Sequence, residues 1–95
     1  MEELLPIGNV VMLENGNKRT VIMGVLQFNL NNQGRIYDYL GVPYPEGYMG
    51  QGSSILFNHD SVREVLFRGY ENEERQNMLE VMGRLRREAE EAMKK

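Results

Sequence analysis

The sequence predicts an α+β fold: a five-stranded, curved antiparallel sheet, a small barrel-like meander, followed by one long C-terminal helix. Three observations lead there. Short runs rich in β-branched and aromatic residues, each closed by Asn, Asp, Gly or Pro, recur as far as Tyr70. From Asn72 the apolar spacing changes from two to three and four, the period of a helix. From Gly41 to Ser54 glycine and proline are dense enough to exclude a long helix between the strands.

Taken in order, Leu5-Pro6-Ile7-Gly8 reads as a lead-in turn, and a first strand follows over about Asn9 to Leu13. Glu14-Asn15-Gly16-Asn17 is the clearest hairpin signal, because Asn-Gly favours the left-handed dihedrals of a type I′ turn. A second strand over about Arg19 to Phe28 carries Val21, Ile22, Met23, Val25 and Leu26. So continuous an apolar run predicts a central strand covered on both faces. Asn29 to Gly34 is a polar loop, and a third strand starts near Arg35 with Ile36, Tyr37, Asp38, Tyr39 and Leu40.

One helical turn fits around Glu46 to Met49. A short fourth strand, about Ser54 to Phe57, precedes the turn Asn58-His59-Asp60-Ser61, where Asn58 or Asp60 can bond nearby backbone amides. The fifth strand, about Val62 to Arg68, places Val65 and Phe67 on one face and Leu66 on the other.

The helix should run from about 72 to 93, with Asn72 as N-cap, Glu73 and Glu74 at the positive end of its dipole, and Lys94 and Lys95 at the other. Met78, Met82, Leu85, Ala89 and Ala92 form a narrow seam, widened by Leu79 and Val81. Glu80 with Arg84, Glu90 with Lys94 and Glu91 with Lys95 are i,i+4 pairs, while Gly83 opposes the helix by about 1 kcal/mol. At about 33 Å, such a helix exceeds a strand of about 20 Å, so its last turns are expected to overhang the sheet. A seam continuing past the sheet suits a symmetry mate or another protein's helix, with Arg86 and Arg87 on its flank meeting acids across the contact.

Ninety-five residues suit one domain, 1–95, with the sheet over about 5–70. No cysteine is present, which removes disulfides, thiolate nucleophiles and thiol-type zinc sites, and suits a reducing cytoplasm. The acidic start, Met-Glu-Glu-Leu-Leu-Pro, is unlike a signal peptide, and the longest apolar run is too short for membrane insertion. A net charge of -3 with interleaved basic residues argues against nucleic-acid binding.

Chemistry-bearing residues are sparse. His59 is the single histidine and has no nucleophile or metal-ligand set beside it in sequence, so it reads as a turn histidine bonded to backbone or solvent. Asp38 suits hydrogen bonds to amides of the Pro/Gly turn. Ser53 and Ser54 lack a nucleophile's frame, and Gly47, Gly50 and Gly52 lack a phosphate loop's lysine. No catalytic residue, cofactor or metal is expected.

The segment Tyr37 to Gly50 holds four of the five tyrosines, two of the three prolines and three glycines. Its tyrosines support two readings, packing at the rim of the core and recognition of a partner, for which Met49 is a fitting neighbour. The expected partner-binding residues are Tyr39, Tyr44, Tyr48 and Met49 on this segment, with Met82, Leu85 and Ala89 on the helix.

Several segments carry a family resemblance: Leu5-Pro6-Ile7-Gly8 with Val10-Val11-Met12-Leu13, Val21-Ile22-Met23-Gly24, and Asp38-Tyr39-Leu40-Gly41-Val42-Pro43-Tyr44-Pro45-Glu46-Gly47-Tyr48. Leu56-Phe57-Asn58-His59-Asp60 and Val65-Leu66-Phe67-Arg68-Gly69-Tyr70 complete it. Over about residues 4 to 72 the chain resembles a family of small, formerly uncharacterised Firmicutes proteins encoded beside type VII (ESX-like, Yuk-like) secretion systems. Tyr-Pro-Glu-Gly-Tyr is the most specific of these segments. The resemblance implies a non-catalytic cytoplasmic accessory protein, a chaperone or targeting adaptor for a toxin with an amino-terminal Leu-x-Gly domain. A homo-oligomer through the helix is a further expected assembly. Two other classes remain open from sequence: an immunity protein whose acidic surface blocks a toxin, and a small hydrolase or ligand-binding barrel using His59.

Overall fold

The computed structural model describes residues 4–29 and 35–93. Five strands, β1 (Val10–Leu13), β2 (Arg19–Asn29), β3 (Arg35–Pro43), β4 (Ile55–Phe57) and β5 (Val62–Phe67), precede one helix, α1 (Glu73–Met93). All strand pairs are antiparallel, in the order β4-β3-β2-β1-β5. The α+β expectation holds, but the sheet is open. β1 to β4 form a meander, and β5 returns to pair with β1 instead of closing against β4. β4 has only three residues, too few for a closing ladder.

Phe57 and Val62, at opposite edges, are joined through a 3-10 turn at His59–Ser61. Five residue steps span at most about 18 Å, slightly less than the four strand spacings of a flat sheet, about 19 Å. The sheet must therefore curl, and His59 comes to lie over Tyr39, with ring centroids 5.9 Å apart.

β2 is the central strand, as its apolar run predicts. It is not covered on both faces: Ile22 and Val25 are buried while Met23 is 37% exposed. Ile22 pairs with Gly41 and Gly24 with Leu40, so Met23 is an extra residue in the ladder. That bulge resets the alternation and lets Ile22 and Val25, three apart, both reach the core. Leu4, Leu5, Val11, Tyr39 and Phe57 complete the cluster, and Leu79 and Met82 of α1 pack on it.

The first hairpin turns one residue earlier than Asn-Gly suggests. Gly16 N–H donates to Leu13 O at 3.0 Å. Asn15 has φ 62, whereas Gly16 does not take a positive φ. Asn15 thus occupies the third position of a type II-like turn, where asparagine tolerates the left-handed region.

β5 is an edge strand that reaches the core only at its start, through Val62, while Val65, Leu66 and Phe67 are all exposed. The register against β1 shifts twice along it, which breaks the simple alternation expected of Val65 and Phe67. From Leu30 onward the expected polar loop lies outside the described residues, as do the acidic first three residues and Lys94 and Lys95 with their expected ion pairs.

Candidate functional site

Three surfaces or clusters follow from this frame. The first is the turn after β3. Tyr44 N–H donates to Arg19 O at 2.8 Å and Gly47 N–H to Pro43 O at 2.7 Å, so the chain doubles back at once. The turn is braced twice more, by Ser53 Oγ, which accepts Met49 N–H at 2.9 Å and donates to Gly50 O at 2.7 Å, and by Lys18, whose ammonium lies 2.7 Å from Glu46. The hydrogen bond from Lys18 holds the Glu46 carboxyl below its usual range. The segment is a turn over 44–46, and no helical turn forms around Glu46 to Met49. Gly47, at φ 75, takes the left-handed backbone that a side chain would strain. The result is a stiff projection on which Tyr44, Tyr48 and Met49 are 50%, 62% and 69% exposed.

Tyr39 does not join them. It is fully buried, which corrects its expected place on the partner surface. Its hydroxyl accepts Leu5 N–H at 2.9 Å and shares a hydrogen bond with His59 Nδ1 at 2.6 Å. The Asp38 carboxylate, also buried, accepts His59 N–H at Oδ2, 2.8 Å, rather than an amide of the Pro/Gly turn. Asn58 Oδ1 accepts Asp38 N–H at 3.1 Å, a partner twenty residues away instead of a neighbour. Arg86 Nη1 lies 2.7 Å from Asp38 Oδ1, an ion pair held by proximity of charge rather than by an aligned N–H···O bond. This cluster bonds the 3-10 turn, β3, the lead-in and the helix to one another. His59 is thus a structural node bonded to a tyrosine, a role with no signal in sequence because its partner is twenty residues distant.

The third feature is α1. Asn72 caps it as expected, its Oδ1 accepting Arg75 N–H at 3.0 Å. The helix packs on its own sheet, and its docked stripe is Arg75, Leu79, Met82 and Arg86 rather than the seam Met78, Met82, Leu85, Ala89 and Ala92. Arg75 bonds the Leu4 carbonyl and Glu71, and Arg86 pairs with Asp38 and with Glu90. Arg86 does meet an acid, but one of its own chain. Met82, half-buried on the core, is unavailable to a partner while the helix is docked, and Ala89 is half-buried too. Leu85 is 53% exposed and continues a side face with Met78 and Val81. Near the start of α1 an open, mainly apolar groove of about 380 Å³ lies among Leu5, Ile7, Val25, Tyr70 and Met78.

A family model described as Domain of unknown function (DUF4176) matches residues 4–78. The chain belongs to that family. The matched span of this DUF4176 member takes in the sheet, the Tyr44 to Met49 projection and the first turns of α1, and stops before Arg86. No curated protein and no solved structure matches the chain. Among the described residues, no group of three or more His, Cys, Asp or Glu could hold a metal ion, and no helix is long and apolar enough to cross a membrane.

Proposed function

We propose that this DUF4176 protein is a non-catalytic cytoplasmic accessory protein of type VII secretion, a chaperone or targeting adaptor that binds a Leu-x-Gly toxin through Tyr44, Tyr48 and Met49. One observation carries the reading: these three residues stand exposed together on a turn fixed by hydrogen bonds and an ion pair at its base. Tyrosine and methionine are the side chains that supply interface energy, and a turn already rigid loses little conformational freedom on binding. The engagement of Asp38, His59 and Ser53 in bonds within the chain supports a binding role over a chemical one. The resemblance of Tyr44-Pro45-Glu46-Gly47-Tyr48 to the secretion-associated family supplies the choice of partner.

The test is co-expression with toxins encoded beside the gene, followed by affinity capture and an export assay. A stable complex is expected, and Tyr48→Ala with Met49→Ala should weaken it about thirtyfold or more, the loss typical of an interface anchor. No complex with any neighbouring toxin, or a complex indifferent to these substitutions, sinks the reading. Protection of toxin-expressing cells without any effect on export would assign the protein to immunity instead.

A further inference from the structure

The side face of α1 lies outside the surface just assigned and shares no residue with it. Met78, Val81 and Leu85 are 39%, 44% and 53% exposed, and Glu80 and Arg84 beside them form no ion pair within the chain among the described residues. Four residues apart in the favourable order, that pair is one a lone helix should make. The groove beside Met78 is open at the helix's amino-terminal end, while Leu85 and Ala92 are uncovered toward its carboxy-terminal end.

We propose that a second copy of this chain covers this face, in an antiparallel two-fold dimer centred near Val81. A two-fold axis there sets Val81 against its own mate and Met78 against Leu85 of the other copy. The same operation lays the half-helix from Leu85 to Ala92 over residues 71–78, the part of the partner that borders the groove. It also brings Glu80 opposite Arg84 of the second copy, twice by symmetry. A single operation thus covers both exposed apolar regions and pairs both idle charges, the self-complementarity that an isologous interface requires. A parallel pairing would leave the groove open and put Glu80 and Arg84 of the two copies on opposite flanks of the contact, out of reach of each other. The helix contact stands at the low end of stable interface sizes, about 1,200 Å² or less in total, so association in the micromolar range is expected.

Sedimentation across concentrations should show a shift from 11.0 kDa to twice that mass. Leu85→Glu, at an exposed position, should weaken association at least tenfold and leave the melting temperature unchanged at concentrations where both proteins are monomeric. Glu80→Arg and Arg84→Glu should each weaken it about three- to tenfold, and the two together should restore it. Because the chain has no cysteine, orientation can be read directly. An equimolar mixture of Met78→Cys and Leu85→Cys chains should form the mixed disulfide faster than either variant forms its own, since the two sites are about 10 Å apart along one helix and adjacent only between copies. A mass of 11.0 kDa at every concentration overturns the proposal, as does Leu85→Cys cross-linking to itself as fast as the mixture does. Neither outcome bears on toxin binding through Tyr48 and Met49, which keeps the two readings separable.

Discussion

Arg86 of α1 reaches Asp38 of β3 at 2.7 Å, with the two side chains only 18% and 9% exposed. This contact ties a helix position beyond the family's matched span to a strand inside it. Arg86→Ala would leave the Asp38 carboxylate buried with only the His59 N–H on its other oxygen. A loss of about 3 kcal/mol is expected from removing one partner of a buried pair. Urea unfolding of Arg86→Ala, Asp38→Asn and the double variant checks it: the double variant should cost less than the two singles summed.

Tyr39→Phe keeps the ring in the core and removes the oxygen that serves both Leu5 N–H and His59 Nδ1. Unsatisfied buried groups of this kind cost about 1–3 kcal/mol. The expected signature is a lower denaturation midpoint together with faster amide exchange at Leu5, whereas equal exchange in the two proteins would refute the assignment.

Gly41 is buried between neighbours on both sides. A Cβ there would stand 2.6 Å from Thr20 Cγ2 and 2.9 Å from Phe57 Cε1. Gly41→Ala should therefore lower stability by about 1–3 kcal/mol through overpacking, measurable as a fall in melting temperature. Its effect should far exceed that of Gly83→Ala, where the added methyl meets open space and helix propensity favours alanine.

The Lys18 to Glu46 pair gives a pH signature at the base of the Tyr44 to Met49 projection. Its hydrogen bond lowers the Glu46 carboxyl in the folded state, so its contribution is present above the ordinary glutamate value and is lost as pH falls through the lowered one. In an NMR titration Glu46 should protonate at lower pH than an unpaired glutamate, and Lys18→Ala should move it back up. No upward movement in that variant would rule the pairing out in solution.

Local chemistry was legible where a residue and its partner are close in sequence. Asn72 reads as a cap and caps α1 three residues on; the turns around Asn15 and Tyr44 fall where glycine, proline and asparagine cluster, and the one at His59 falls among Asn58, Asp60 and Ser61. The change of period at residue 72 marks the helix start to within one position. By contrast, the apolar seam misplaced the docked face of α1. The seam sets Arg86 on its flank toward a partner's acids, yet the stems of Arg75 and Arg86 line the docked face while their guanidinium groups meet the Leu4 carbonyl and Asp38.

Sequence by itself thus determined the number and kind of elements, the cap of α1 and the approximate place of each turn, because these depend on dihedral preferences and spacing within a few residues. Only the tertiary structure decided that β5 pairs with β1 and leaves the sheet open, that Tyr39 is core rather than surface, and which side of α1 faces the sheet. Those outcomes hang on the pairing of β5 with β1, the bulge at Met23 and the reach of Arg86 to Asp38, contacts between segments far apart in the chain that no local period encodes.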